Sequence, residues 1–228
     1  MRVTVSMITM NEESAIAKVV ADIRSVLPDA EILVVDSSRD RTPEIATSLG
    51  CRVIRQFPPK GYGPAMDLAL REAGGEVVVT LDCDDTYPVS AIPTLLSRLD
   101  EGFDLVDGSR LARGRPGAMP YANYLANRLF ALTARLLHGL RTTDLHSGMR
   151  AYRKSMLEQI RWDPHGPALP VDLLLRPYRA GFRVTEVPID YRERIGSTTL
   201  HRFSSTVWTF RRLLRLVGSR EGTAWPRS

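Results

Sequence analysis

Cysteine is almost absent from this sequence: Cys51 and Cys83 stand far apart and form no C-x-x-C pair. That scarcity argues against a structural zinc site or a disulfide framework, and makes a reducing cytoplasm the expected setting. Long apolar runs are absent too. No stretch approaches the ~18–20 residues needed to span a bilayer, so no membrane anchor is expected. Met1 leads within two residues into the strand-like run Val3 to Ile8, which leaves no room for a signal peptide. Lysine is rare, with no lysine-rich block and no reader motif, so nucleic acid is not an expected partner. Repeats and low-complexity segments are lacking. Only the tail 218–228, rich in Ser, Arg, Gly and Pro, has little to bury and is expected to be disordered.

What is present points elsewhere. The basic residues are nearly all arginine and the net charge is +5. Arginine grips phosphate through a planar, bidentate fork, which suggests a phosphorylated ligand or an anionic surface. With 228 residues, 43% of them hydrophobic, the chain can form one large domain with a substantial core.

The most informative stretch is Val77 to Pro88, where an apolar, β-branched strand runs into Asp82, Asp84 and Asp85. A strand of that composition is buried on both faces of a parallel sheet. Carboxylates at its carboxyl end stand in the crevice where open α/β sheets bind ligands. Oxygen donors of this kind suit Mg²⁺ or Mn²⁺ held jointly with substrate phosphates. An isolated D-x-D is more often a solvated turn, so the rest of the chain has to decide.

Patterning gives strands at 3–8, 31–35, 51–54 and 77–81, alternating with helices over 16–23, 43–49 and 64–73. This β-α-β-α-β-α-β order predicts a parallel, helix-covered sheet. Helices are expected again at 92–99, 121–137 and 171–180, and strands at 105–108, 149–152 and 182–187. Ser204 to Val217 sets Val207, Phe210, Leu214 and Val217 at helical spacing, with Arg211, Arg212 and Arg215 between them. Such a basic amphipathic helix would lie in a membrane interface, pack back on the domain or dock on a membrane partner subunit. Polar residues recur at strand ends: Glu12 after the first, Asp36 after the second, Asp82 and Asp84 after the fourth. In a parallel sheet these share one edge, and with the Gly-rich loop at Lys60 they outline a nucleotide crevice. A nucleotidyltransferase is disfavoured, because Thr9 to Ser14 carries no glycine for a phosphate loop.

At this point the motifs match a family. Thr9-x-Asn11-Glu12 is similar to a P-x-x-N-E opening, Lys60-Gly61-Tyr62-Gly63-x-Ala65 to K-G-x-G-x-A, and Asp82-Cys83-Asp84 to D-x-D. Asp107-Gly108-Ser109-Arg110 is similar to S-G-x-R, and Asp144-x-x-Ser147-Gly148-x-Arg150-Ala151 to D-x-x-S-G-x-R-A. Glu186-Val187-Pro188-Ile189, followed by Tyr191-x-x-Arg194 and Gly196, completes the series. In this order the set resembles the family 2 glycosyltransferases, and among them the dolichyl- and polyprenyl-phosphate mannose or glucose synthases. Ile8 and Thr199 stand where that family has proline and lysine, and the doublet after Asp36 is compressed to Ser37-Ser38-Arg39-Asp40.

The resemblance implies an α/β GT-A fold with a Rossmann-like, mostly parallel central sheet. It implies a catalytic domain over 1–200 and a C-terminal amphipathic helix over 201–217. The implied reaction is metal-dependent, inverting transfer of a hexose from GDP-mannose or UDP-glucose to a polyprenyl phosphate. Thr9, Asn11, Glu12, Asp36, Ser38, Lys60, Gly61, Asp82, Cys83, Asp84 and Arg110 would bind the nucleotide sugar. Asp84, with Asp82 and Thr86, would hold Mg²⁺ or Mn²⁺, and Arg110 would face the diphosphate. Arg128, Ser147, Arg150 and Arg194 are the candidates for an acceptor phosphate. A hydroxyl acceptor would need a base, for which Asp144 and Asp172 are candidates. A soluble hydroxyl acceptor and a non-catalytic nucleotide-sugar-binding subunit remain alternatives, as does peripheral attachment at the cytoplasmic face of a membrane.

Overall fold

A computed structural model describes residues 1–166, 168–193 and 202–217 of the protein. Its first half is a repeated strand–helix alternation: β1 (Val3–Thr9), α1 (Ile16–Val26), β2 (Glu31–Asp36), α2 (Thr42–Ser48), β3 (Arg52–Arg55), α3 (Tyr62–Glu72) and β4 (Val77–Thr80). The second half holds α4 (Ile92–Asp100), β5 (Leu105–Ser109), α5 (Tyr121–His138), β6 (Arg150–Arg153), α6 (Lys154–Gln159), α7 (Leu169–Arg179), β7 (Val184–Pro188) and α8 (Arg202–Val217). The sheet order is β3-β2-β1-β4-β6-β5-β7. Every pairing is parallel except those of β6, which runs antiparallel to both β4 and β5. The architecture is the expected mostly parallel α/β sheet, with most element boundaries shifted by a residue or two and α1 running three residues further.

Period-2 alternation divides the core into two layers. Ile32 and Val34 of β2, with Val77 and Val79 of β4, face the α1, α2 and α4 side. Leu33, Val35 and Val78 face α3, α5, α7 and α8. Helix α6 was not foreseen, because its six residues cover under two turns and its buried pair, Met156 and Leu157, is adjacent rather than spaced. Helix α8 packs on the domain: Leu213 and Leu216 are buried, and Phe210 meets Phe130 of α5 edge-on at 5.1 Å. Among the described residues no helix is long and apolar enough to cross a membrane. The tail beyond Val217 lies outside the described residues.

Two buried ion pairs hold the second half together. Asp107 and Arg150 are register partners across β5 and β6, and both are about 1% exposed. Arg150 Nε donates to Asp107, Nη1 to the carbonyl of Pro170 at 2.6 Å and Nη2 to that of Leu145 at 3.1 Å. The arginine read from sequence as an acceptor clamp therefore has its fork engaged inside the core. Asp172 of α7, fully buried, accepts from Arg212 of α8 at 2.8 Å and from Arg176 at 2.9 Å. It fastens the C-terminal helix and does not face the crevice as a base would.

Replacing Arg150 with methionine is expected to cost about 3–5 kcal/mol, because Asp107 would remain as an uncompensated buried charge. Urea unfolding of Arg150→Met beside the double variant Asp107→Leu/Arg150→Met measures this, and the double variant should recover most of the loss.

Candidate active site

Because β1, β2 and β4 are parallel neighbours, the loops after Thr9, Asp36 and Thr80 lie along one edge. The first two loops are stitched together by side chains. Asn11, at φ 62°, donates its N–H to Ser38 Oγ at 2.8 Å and accepts from the N–H of Arg39 at 2.9 Å. The N–H of Glu12 donates to Thr42 Oγ1 at 2.9 Å, and Glu12 is largely buried. A positive φ at asparagine is tolerated where local hydrogen bonds over-determine the turn. Asp36 is fully buried. Thr9 Oγ1 donates to it at 2.7 Å, Ser38 Oγ at 2.6 Å and the Ser38 N–H at 3.0 Å, with Arg55 as a fourth partner. Four donors fill the lone-pair sites of a carboxylate. Asp36 thus forms the floor of the crevice and fixes Thr9, Ser38 and Arg55 above it. Lys60 is exposed beside Gly61, whose φ of 96° caps α3.

The D-x-D loop separates its acids. Asp85, at φ 61°, turns away and pairs with Lys18 at 2.8 Å. Asp84 is nearly buried, and its Oδ1 accepts from the Thr86 N–H at 3.1 Å and from Thr86 Oγ1 at 2.6 Å. Thr86 therefore orients the Asp84 carboxylate. The Cys83 side chain lies in the core, where burial pushes its thiol well up, so only its backbone is left to face the crevice. Asp82 lies against Gly148: a Cβ there would stand 2.9 Å from Asp82 Oδ2. Among the described residues no three His, Cys, Asp or Glu side chains form a metal cluster. A pair of carboxylates fits a divalent cation that takes its remaining oxygens from a substrate diphosphate and water.

Arg110 follows β5 and is held by Asp144. Nε donates to Oδ2 at 2.6 Å and Nη2 to Oδ1 at 2.9 Å. Burial opposes the charge on Asp144, but Arg110 outweighs it and keeps the carboxyl below its ordinary range. A carboxylate so engaged is a poor general base. Ser147 is buried and donates to the carbonyl of Gly108, clipping the Asp144 loop to β5. Tyr191, not singled out from sequence, stacks on Arg110 with its ring centroid 5.4 Å from the guanidinium carbon. It meets Tyr87 edge-on at 5.8 Å, and the neighbouring Arg192 N–H donates to the carbonyl of Thr86. The aromatic pair spans from the D-x-D loop to Arg110. Its only sequence signal was the position of Tyr191 within a motif noted for Arg194. Arg194 itself lies outside the described residues.

Arg128 is not brought to Ser147 or Arg150. It lines a cavity of about 350 Å³ with Arg135, Arg141, Leu132, Thr143 and Glu186. Thr143 adjoins Asp144, and its hydroxyl and N–H donate to Glu186 at 3.0 and 2.8 Å. The cavity therefore begins beside the Arg110–Asp144 pair.

Residues 4–161 match the family described as Glycosyl transferase family 2. The dolichyl-phosphate hexose transferase of Haloferax volcanii is 45% identical over 197 residues, covering 86% of this chain and 85% of that protein. The polyprenol monophosphomannose synthase of Mycolicibacterium smegmatis is 32% identical, covering 82% and 76%. Glucosyl-3-phosphoglycerate synthase of Mycobacterium tuberculosis, solved with Mn²⁺, UDP and glucosyl-3-phosphoglycerate, has the same fold. Its TM-score is 0.77 over 96% of this chain and 81% of that one, at 22% identity. Fold and relatives together define a glycosyltransferase of GT-A architecture. The chain belongs to glycosyltransferase family 2.

His146 connects this site to the C-terminal helix. Its Nε2 lies 2.8 Å from Thr209 Oγ1 of α8, and its ring packs on Phe130 at 5.3 Å. Burial lowers its pKa to about 4, so the ring is neutral at physiological pH. A histidine with a folded pKa below its unfolded value costs no stability above pH ~6.5, and the cost grows as pH falls toward 4. We expect a loss on the order of 2 kcal/mol across that window, less than the full shift because part of the residue reaches solvent. Thermal unfolding from pH 7 to 4 should show this slope, and His146→Phe should flatten it.

Proposed function

We propose that the protein transfers a mannose or glucose residue from a nucleoside-diphosphate sugar to a polyprenyl phosphate. The observation that carries this reading is the cavity beside Arg110 and Asp144. It brings Arg128, Arg135 and Arg141 together with Leu132 and Ala131, and its one carboxylate, Glu186, already accepts from Thr142 and Thr143, so three arginines against one engaged acid suit an anionic headgroup on an apolar tail. A phosphate acceptor is already an anion and needs no general base. That agrees with Asp144 bound to Arg110 and Asp172 buried against two arginines. A soluble hydroxyl acceptor would require one of those carboxylates to be released. The names of the two relatives point to the same class of acceptor for those proteins.

On the donor side, Asp82 and Asp84 would hold the divalent cation, which would neutralise charge on the departing diphosphate when bound. Thr86 keeps Asp84 in its rotamer, and Gly148 leaves room for the Asp82 carboxylate. The Arg110 guanidinium, fixed on one edge by Asp144 and on one face by Tyr191, would present its remaining donors toward the same crevice. Such a preorganised cation stabilises a charge that grows in the transition state. Glu12, Asn11 and Ser38 form the wall on which base and ribose would rest. The reaction would be a single displacement with inversion at the sugar carbon.

Asp84→Ala is expected to abolish hexose transfer and the thermal shift that Mn²⁺ with GDP-mannose or UDP-glucose produces, with little change in the unliganded melting temperature. Full transfer by this variant, or in excess chelator, would overturn the metal-assisted mechanism.

For the acceptor, Arg128→Ala combined with Arg141→Ala should raise the KM for polyprenyl phosphate about tenfold or more, as expected for lost charge-assisted hydrogen bonds. Donor affinity should not move. The assay offers labelled donor with polyprenyl phosphate and with free alcohols and sugars in parallel. Transfer only to a hydroxyl would replace this reading with the soluble-acceptor one.

A further inference from the structure

Gly63 stands in the first turn of α3, and its backbone has no positive φ to call for glycine. A distant neighbour excludes the side chain instead. A Cβ on Gly63 would overlap the carbonyl oxygen of Pro164, and no rotamer change relieves a clash with backbone. The segment 162–166 that carries this carbonyl is gripped from two sides. On the α3 side, Trp162 Nε1 donates to Asp67 Oδ1 at 2.7 Å, and the Arg71 guanidinium lies 5.7 Å from the Trp162 ring centroid. On the other side stands α8. Arg212 Nη1 donates to the carbonyl of Asp163 at 2.9 Å, and Nη2 to that of His165 at 2.6 Å. The Trp208 ring closes on Gly166, where a Cβ would stand 2.8 Å from it, and Arg215 reaches Asp163 Oδ2 at 3.3 Å. Trp208, Arg212 and Arg215 follow i, i+4, i+7 spacing and fall within an arc of about 60°. One face of α8 is given to this segment.

We propose that residues 162–166 are a positioning element of the donor site, and that α8 governs capture of the nucleotide sugar through them. Strand β3 runs parallel to β2, so the loop Lys60-Gly61-Tyr62-Gly63 that follows it lies on the crevice edge. Glycine-rich backbone loses more freedom on ordering than any other, and two of these four residues are glycine. A carbonyl fixed against Gly63 restricts the loop before the donor arrives, and such preorganisation strengthens binding. Arg212 suits the task because its planar fork reaches two carbonyls and Asp172 at once. The loop falls inside residues 4–161, which match the family, whereas the segment and α8 lie beyond them. The proposal rests on the reading of Lys60 and Gly61 as donor contacts, and its test separates the two.

The test compares three variants of the full chain by calorimetric titration with UDP-glucose and with GDP-mannose, each in Mn²⁺. Arg212→Lys keeps a cation beside Asp172 but loses the fork, and Trp208→Ala opens the space over Gly166. Leu213→Ala is the control: Leu213 is buried in the core layer shared with Phe130 and Ala134 of α5, off the face that meets the segment. Arg212→Lys and Trp208→Ala should each raise the donor Kd about tenfold, the effect of a loop left competent about a tenth of the time. Donor KM should rise with it while kcat holds. Amide hydrogen exchange at Gly61, Tyr62 and Gly63 should quicken in the unliganded variants. Leu213→Ala should lower the melting temperature at least as far and leave the donor Kd and this exchange unmoved. An unchanged donor Kd in Trp208→Ala overturns the proposal, with or without faster exchange. So does an equal loss of donor affinity in Leu213→Ala, because general loosening would then be the cause. Should the wild-type chain bind neither nucleotide sugar, the donor reading falls, and exchange in the loop alone decides whether α8 positions it.

Discussion

The return of the chain through β6 is the constraint on which the rest of the molecule depends. Running antiparallel between β4 and β5, it carries Gly148 to the Asp82 carboxylate and Asp144 to Arg110. It also sets Arg150 opposite Asp107. A strand of four residues makes few ladder bonds, and one with the other register would put arginine on the wrong face. The Asp107–Arg150 pair, buried beyond solvent, makes that slip costly because it would leave two unmatched charges in the core. The donor half of the molecule, built from parallel β1, β2 and β4, and the half bearing Arg110 are thus joined in a single register.

Rigidity at the crevice comes from side chains bonding to nearby backbone rather than from secondary structure. Asp36, Asp84 and Asn11 each hold a loop by accepting from N–H groups one or two positions away or on the adjoining loop. Asn11 accepts a positive φ in doing so, and Asp85 takes one where the D-x-D loop turns toward Lys18. Each acid therefore serves two ends, fixing a turn and furnishing the edge with negative potential. Tyr191 and Tyr87 add an apolar bracket around the charged groups, reducing the water that would otherwise screen them.

The fold was legible in the sequence because period and punctuation report directly on local structure. The β-branched runs, Pro43 within the first turn of α2 and Gly61 at the head of α3 marked most elements within two residues. The crevice was legible as well, since strand ends in a parallel sheet must share an edge. Partnership was not legible. An arginine bonded to an internal carboxylate and one awaiting a phosphate have the same side chain, so Arg150 read as a clamp and Asp172 as a base. Their partners, Asp107 and Arg212, are 43 and 40 positions away. Tyr191 carried no charge to draw notice. Helix α5 was foreseen over 121–137, yet only the packing of α8 and the sheet reveals that its row of leucines faces out.

The bidentate grip of Asp144 on Arg110 alters the reach of that cation. A lone guanidinium acts as a monopole whose potential falls with distance; one clasped by a buried carboxylate acts as a dipole, whose potential falls with its square. Seen from across the crevice the pair is close to neutral, and only a group in contact with the outward edge of the guanidinium meets its full field. Long-range attraction of any anion is then weak. The site draws its discrimination from contact, favouring the one phosphate oxygen placed where charge accumulates over the many that merely pass nearby.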